Sequence, residues 1–313
     1  MAKAWRGLRR GEKWVLGAVL FTGAIALAGS LASSWDLERR RRAIAEAVEE
    51  EKAALPERPR ALVAAMDDVI LETAALPYPG DLVDREIAPP RVRAALLASS
   101  ALYVRAALPE VARLDALGAA VRRSDKDAFV LCLRRPPATD AGADVAAAAT
   151  SAWIGGALFE DATHDVLPLH AVHAGLRPLS RAWADELASA DGHLWVRRLE
   201  EEYEERRPLV LSLARTAASA DVLVVVVDEL PDGMAEPEVG RSLTATRRPA
   251  VLPRIEDAAH FVRVAVWSAR MRRVVLRVRA RVDVAPLRLE NPAMVSAHVH
   301  ACQAALALRG LSL

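Results

Sequence analysis

Lysine, cysteine and aromatic residues are scarce in this sequence. Lysine accounts for only four of the 42 basic residues, and aromatic residues make up 4% of the 313-residue chain. The two cysteines, Cys132 and Cys302, are far apart and form no CxxC motif. The cysteine pattern therefore gives no support for zinc-ribbon sites or thioredoxin-type redox chemistry. Because arginine replaces lysine almost everywhere, arginine abundance alone is no evidence for phosphate binding.

The chain also has almost no net charge. Its formal charge at pH 7 is +1, so no excess of positive charge indicates a nucleic-acid partner. An apolar fraction of 53% with 27% charged residues is typical of a folded protein with one membrane segment. The length suffices for one sizeable domain with accessory segments.

Catalytic signatures are missing as well. The sequence contains no GxSxG, no Walker A loop, no GxGxxG after a predicted strand and no HExxH. We therefore infer no catalysis and expect no cofactor.

One long apolar run is present, over residues 14–35, and it begins at Trp14 and ends at Trp35. As a helix this run is roughly 32 Å long, which matches a hydrocarbon thickness of about 30 Å and places the two indoles at the interfaces. A helical pattern continues beyond it without Pro or Gly as far as residue 55. The run therefore predicts a single transmembrane anchor. The A-x-A pattern at residues 26–28 leaves a cleaved signal peptide as the alternative.

Sidedness depends on the basic residues that flank the anchor, and these are nearly balanced. A short basic tail before a first apolar segment normally stays in the cytoplasm, and long downstream domains cross largely regardless of charge. An arginine- and alanine-rich composition is typical of a GC-rich bacterial genome. We therefore expect a bacterial inner-membrane protein with a cytoplasmic N-terminus and a periplasmic domain. The alternatives are a soluble periplasmic protein after cleavage and a domain that remains in the cytoplasm.

The remaining chain divides by composition. We expect a basic tail over residues 1–13, the anchor over 14–35, a helical stalk with a proline-rich connector over 36–90, and an α+β globular domain over 91–313. Small residues at four-residue spacing in the anchor, Ala24, Ala28 and Ala32, would let two helices approach, so a homo-oligomer is one expectation. The alternative is chance in an alanine-rich segment.

The predicted domain contains a mixed sheet packed by helices. Residues 100–107 and 127–137 have strand composition and flank a helical pattern, which predicts a parallel βαβ unit. The apolar run over residues 221–230 is typical of a central strand covered on both faces. Apolar and polar residues alternate over residues 260–284, which predicts an antiparallel hairpin. Residues 143–219 are mostly helical in pattern, and a last helix over residues 292–309 closes the domain.

Arginines alternate with apolar residues on the second strand of this hairpin. Arg277, Arg279 and Arg281 would share its solvent face and could meet an anionic envelope surface or an acidic partner. The alternative is a merely solvated face, or pairing with the acidic run over residues 200–205.

Two further sets of residues are candidates for chemistry. Asp228 and Glu229 lie at the carboxyl end of the predicted central strand, where α/β sites often lie, and could act as a carboxylate pair. Turn chemistry is the alternative. His170 and His173 share a helix face at the spacing of metal ligands. Ordinary histidines are the alternative there, and no metal is expected.

The sequence favours a non-catalytic envelope protein whose extracytoplasmic domain binds a protein partner or an anionic surface. An anchored hydrolase or transferase with an unrecognised carboxylate or histidine site is the second hypothesis. A membrane-tethered cytoplasmic adaptor is the third. A disulfide between Cys132 and Cys302 is expected only in an oxidising compartment, so it would argue against the third.

Overall fold

The structure is a computed structural model that describes residues 34–139, 142–155, 157–231, 258–284 and 292–310. No helix within these ranges is both long and apolar enough to cross a bilayer. The predicted anchor over residues 14–35 lies outside the described residues, except for its last two positions.

A six-stranded mixed sheet forms the centre of the domain, in the order β1-β6-β5-β4-β2-β3. Strand β2 is parallel to β3 and β4, whereas β4, β5, β6 and β1 pair antiparallel in succession. The predicted α+β class with a mixed sheet is confirmed. The strands are β1 (Leu82–Val83), β2 (Ala101–Ala107), β3 (Val166–Pro168), β4 (Val222–Asp228), β5 (His260–Ser268) and β6 (Arg273–Val282).

Helices cover both faces of this sheet. The described part of the chain begins in α1, over residues 34–54, and a 3-10 turn at Arg177–Leu179 links α9 to α10. The other helices are α2 (Glu57–Ala74), α3 (Pro90–Leu97), α4 (Leu108–Val111), α5 (Leu114–Arg123), α6 (Ala128–Arg134), α7 (Gly142–Ile154), α8 (Ala157–Thr163), α9 (His170–Leu176), α10 (Arg181–Ser189), α11 (His193–Ala218) and α12 (Pro292–Arg309).

Strand β4 is buried along its whole length and separates two apolar cores. Leu223, Val225 and Val227 join the core beneath α2, α9 and α11. The alternating residues, Val222, Val224 and Val226, join the core beneath α6, α7 and α12. Because side chains alternate across a strand, a continuous apolar run is needed where both faces are covered. The prediction of a covered central strand is confirmed.

The predicted strand over residues 127–137 is wrong, because this segment forms α6. Asp127 caps the helix by accepting a hydrogen bond from the Phe129 amide at 2.9 Å. Every residue from 128 to 133 is buried, so no polar side interrupts the apolar run and its helical period is hidden. The parallel neighbours of β2 are β3 and β4, which lie farther along the chain.

Residues 36–90, which the sequence assigns to a stalk and connector, contribute to the same sheet and core as the rest of the domain. Leu62, Met66 and Ile70 of α2 are at most 1% exposed and belong to the core beneath α11. Within the connector, β1 pairs with β6, with Leu82 opposite Arg277. The helix pattern noted for α2 therefore belongs to a helix of the core.

A disulfide ties the last helix to the body of the fold. Cys132 on α6 and Cys302 on α12 are bonded, with their Cα atoms 5.2 Å apart and a sequence separation of 170. Both residues are fully buried in the core beneath α12. The bond closes a loop that contains β3, β4, β5 and β6.

Candidate functional site

The carboxyl ends of β2 and β4 bring together a buried ion pair. The parallel register aligns Ala107 with Asp228, which places Arg105 two residues earlier on the neighbouring strand. Arg105 donates from Nε to Asp228 Oδ2 and from Nη2 to Asp228 Oδ1, each at 2.8 Å. The two side chains are only 13% and 11% exposed. This bidentate geometry is the strongest form that an arginine–carboxylate pair takes.

Further polar residues extend this pair into a network. Arg105 Nη1 also donates to Asp127 Oδ2 at 3.0 Å, and the Tyr103 hydroxyl donates to Asp127 Oδ1 at 2.8 Å. On the other side, His260 Nε2 lies 3.1 Å from Asp228 Oδ1. Asp228, one of the two carboxylates singled out from the sequence, is therefore held on two sides.

Titration in this network follows from burial and neighbouring charge. Burial alone would raise the pKa of Asp228, but the charge of Arg105 and the hydrogen bonds from His260 and Arg105 hold it well below its ordinary value. Burial lowers the pKa of His300 to about 4, and the charges of His260 and Arg105 act in the same direction. At neutral pH the network therefore contains an ionised Asp228 beside a neutral His300.

The ring of His300 packs edge-on against that of His260, with centroids 4.7 Å apart. Within the described part of the chain, neither ring nitrogen of His300 has a hydrogen-bond partner. An unpaired buried polar atom costs about 1–3 kcal/mol. This histidine is therefore an unfavourable element of an otherwise paired network.

Glu229 belongs to a different cluster, so the structure does not bring it together with Asp228 as a carboxylate pair. It accepts from Arg263 Nε at 2.5 Å and, through both oxygens, from Arg279 Nε and Nη2 at 2.8 Å. Burial would raise the pKa of Glu229, but these two arginines hold it below its ordinary value. Arginine side chains therefore bind both candidate carboxylates. This arrangement favours a structural role for Asp228 and Glu229 over a role in proton transfer.

The arginine stripe of β6 is also largely paired within the fold. Arg277 donates to Glu72 at 2.6 Å and to the Gly80 carbonyl at 2.9 Å. Arg279 stacks over Phe261, with its guanidinium carbon 3.7 Å from the ring centroid, in addition to binding Glu229. The partners of Arg277 and Arg279 therefore differ from the acidic run over residues 200–205, which the sequence indicates as an alternative. Arg279 and Arg281 are exposed, whereas Arg277 is half-buried.

The two candidate histidine ligands have separate partners. His170 Nδ1 lies 2.7 Å from the Ser124 carbonyl oxygen, whereas His173 Nε2 lies 3.0 Å from Asp67 Oδ1. Among the described residues, no three or more His, Cys, Asp or Glu side chains are placed to hold a metal ion. The histidine pair therefore forms no metal site with its described neighbours.

A large cleft lies on the face of the sheet covered by α11, and we call it the α11 cleft. It has a volume of about 970 Å³ and is bounded by α5, α9, α10 and α11, with Asp67 of α2 and His173 at one side. Such a volume is at the upper end of the range for ligand sites. Residues that line it include Arg122, Arg177, Glu186, Trp195, Arg198, Glu201, Glu202 and Glu205.

Arg177 organises the polar lining of the α11 cleft. Its Nη1 donates to both carboxylate oxygens of Glu202, at 2.7 and 2.6 Å, and its Nη2 donates to Glu186. Burial would lower the pKa of Arg177, but Glu202 and Glu186 outweigh it and raise the pKa. Trp195 in turn donates from Nε1 to Glu186 Oε1 at 3.2 Å. The cleft therefore presents a fixed set of planar polar groups beside an indole.

Sequence reasoning missed this cleft because its residues come from several elements. The sequence indicates the acidic run over residues 200–205 only as a source of counter-charges for the arginines of β6. A sharper indication was available within α11, where Arg198, Glu202 and Glu205 recur at the spacing of one helix face.

Comparisons with known proteins give no relative. No protein-family model, no curated protein and no solved structure matches the chain.

Proposed function

We propose that this chain is a single-pass, membrane-anchored bacterial envelope protein whose domain lies outside the cytoplasm and binds a ligand or protein partner in the α11 cleft. The observation that carries the location is the disulfide between Cys132 and Cys302. Such bonds persist in oxidising compartments and are rare in the reducing cytoplasm. The apolar run over residues 14–35 and its basic N-terminal flank support the anchor and its orientation.

Binding is favoured over catalysis because the carboxylates singled out from the sequence are held in ion pairs. Asp228 is bound by Arg105, and Glu229 by Arg263 and Arg279. The internal pairing of Arg277 and Arg279 also weakens the case for an anionic envelope surface at β6. The α11 cleft, with a volume of about 970 Å³, is therefore the better candidate for the binding site.

A compartment-sensitive reporter fused to the C-terminus tests the location. Alkaline phosphatase at that position is expected to be active and a fluorescent protein that matures only in the cytoplasm to be dark, while the intact N-terminal sequence remains on the membrane fraction. An active cytoplasmic reporter would refute the proposal. Loss of residues before about position 29 from the mature chain would replace the anchor by a cleaved signal.

A further inference from the structure

We propose that the α11 cleft binds a neutral oligosaccharide, in the envelope a stretch of glycan built from N-acetylated sugars. This inference names the ligand class for the site of the proposed function and rests on that function for the cellular source of the glycan. Three properties of the cleft carry it: an exposed indole, a charged lining in which Arg177 is already paired with carboxylates, and a large volume.

The indole of Trp195 is the first property. This residue lines the cleft, is 42% exposed, and has its Nε1 hydrogen-bonded to Glu186. The exposed indole presents a flat apolar face that a ligand can cover, and the hydrogen bond fixes the ring without blocking its faces. Pyranose rings have flat C–H surfaces of matching size, edged by hydroxyl groups. An indole next to fixed polar groups is therefore suited to a sugar ring.

The charge lining is the second property. Six carboxylates and four guanidinium groups line the cleft, and one of these guanidinium groups, that of Arg177, is already neutralised by Glu202 and Glu186. A polyanion would meet excess negative charge, and any strongly charged ligand would have to break partly buried ion pairs. Neutral hydroxyl and amide groups can instead bond to the free lone pairs and N–H groups of these planar side chains. The lining therefore favours a neutral, hydroxyl-rich ligand.

The volume is the third property. The volume of about 970 Å³ exceeds what one sugar unit fills. Several linked units, held at one point by stacking on Trp195 and elsewhere by hydrogen bonds, match this volume better than a monosaccharide does. A basic peptide is the competing ligand, because carboxylates outnumber guanidinium groups.

Calorimetric titration of the detergent-solubilised full chain tests the inference. The probes are the β-1,4-linked tetrasaccharide and hexasaccharide of N-acetylglucosamine, which are both uncharged glycans, and a lysine-rich decapeptide. We expect the two glycans to bind and the decapeptide to give no heat. No heat with either glycan overturns the inference, and tighter binding of the decapeptide overturns it in favour of a basic peptide.

Substitutions at Trp195 locate the site. We expect Trp195→Ala and Trp195→Leu to weaken glycan binding at least tenfold, because leucine is apolar but not flat, and Trp195→Phe to weaken it less than about threefold. Trp153 is the matched control: it is 44% exposed and lies on α7, on the opposite face of the sheet. Trp153→Ala should leave binding unchanged, and circular dichroism checks that each variant is folded.

Equal affinities for Trp195→Ala and Trp153→Ala would overturn the assignment of the cleft, as would full retention of binding by Trp195→Leu. The outcome is independent of the reporter experiment. A cytoplasmic C-terminus would refute the envelope location while glycan binding by the purified chain still supports the ligand class. A periplasmic C-terminus with no glycan heat would refute the ligand class alone.

Discussion

Arg105 and Asp228 share two hydrogen bonds of 2.8 Å across the carboxyl ends of two adjacent parallel strands. The chain carries a second arginine–aspartate pair at the opposite end of β4, where Arg58 binds Asp221 at 2.8 Å. The first pair is nearly buried, whereas the side chains of the second are 46% and 52% exposed. One strand therefore offers a comparison of a buried and an exposed ion pair.

We expect Asp228→Asn to lower the free energy of unfolding by about 3–5 kcal/mol, because it leaves the buried charge of Arg105 poorly compensated. The matched change Asp221→Asn removes an exposed pair and should cost at most about 1 kcal/mol. Urea unfolding of the purified chain followed by circular dichroism measures both. Similar losses for the two variants would contradict the assigned role of the buried pair.

Glu229 and Glu72 both bind arginines of the β5–β6 hairpin, but only the carboxylate of Glu229 is itself shielded from solvent. The side chain of Glu229 is 13% exposed beside Arg263, whereas that of Glu72 is 51% exposed beside Arg277. We expect Glu229→Gln to destabilise the fold by at least about 2 kcal/mol and Glu72→Gln by less than about 1 kcal/mol. Thermal unfolding of the two variants side by side gives the comparison. An equal shift in Tm would show that Arg263 does not depend on Glu229.

His300 should make the fold sensitive to mild acid. Its pKa is about 4 in the folded chain and 6.5 ordinarily, so the unfolded chain binds a proton first as pH falls. Stability is therefore full above pH 6.5 and declines toward pH 4, by up to about 3 kcal/mol. Asp228, whose pKa is lowered, adds a further loss only below its ordinary value of 3.8.

The change His300→Leu tests this origin. The variant should lose less stability between pH 6.5 and 4, and at neutral pH it should be as stable as the parent or more so, since two unpaired ring nitrogens disappear. His298 keeps part of the dependence, because burial lowers its pKa as well. Chemical unfolding at several pH values measures the slope. An unchanged slope would place the acid sensitivity elsewhere.

The disulfide should contribute strongly to stability, because it closes a long loop. Replacing both Cys132 and Cys302 by alanine is expected to lower the free energy of unfolding by about 2–5 kcal/mol. Chain extracted from membranes with an alkylating agent present should contain no free thiol until it is denatured and reduced. Alkylation of both cysteines without reductant would contradict the bond and, with it, the main support for an oxidising compartment.

Much of the sheet could be predicted from the sequence, because β2, β4, β5 and β6 carry strand signals within the strand itself. In β6, arginines alternate with apolar residues, which indicates a strand with one polar face. In β4, the continuous run of valines indicates a strand that is buried on both faces. The very short strands β1 and β3 have two and three residues, too few to show any period. The sequence of α6 predicts a strand, because burial on all sides removes the polar residues that reveal a helical repeat.

The candidate site was less predictable for a different reason. A strand-end carboxylate such as Asp228 is visible from local pattern, but its partners Arg105 and His260 lie 123 and 32 residues away. The α11 cleft likewise joins side chains from six helical segments whose packing no local pattern specifies. The sequence reveals only the acidic stretch of α11. Because the contact between Arg177 and Glu202 is not visible in the sequence, this stretch resembles a solvated helix face.

Arg263 has a consequence for where the folding unit begins. Its Nη1 group holds the carbonyl oxygens of Thr73 and Ala75, at 3.3 and 2.7 Å, and so closes the free C-terminal end of α2 from within the sheet. A truncated chain that starts at residue 91 would lack α2. The guanidinium of Arg263 would then lose its two carbonyl partners, and the apolar face of the sheet that α2 covers would be exposed to solvent. Such a fragment should aggregate, and soluble expression will require a start ahead of residue 57.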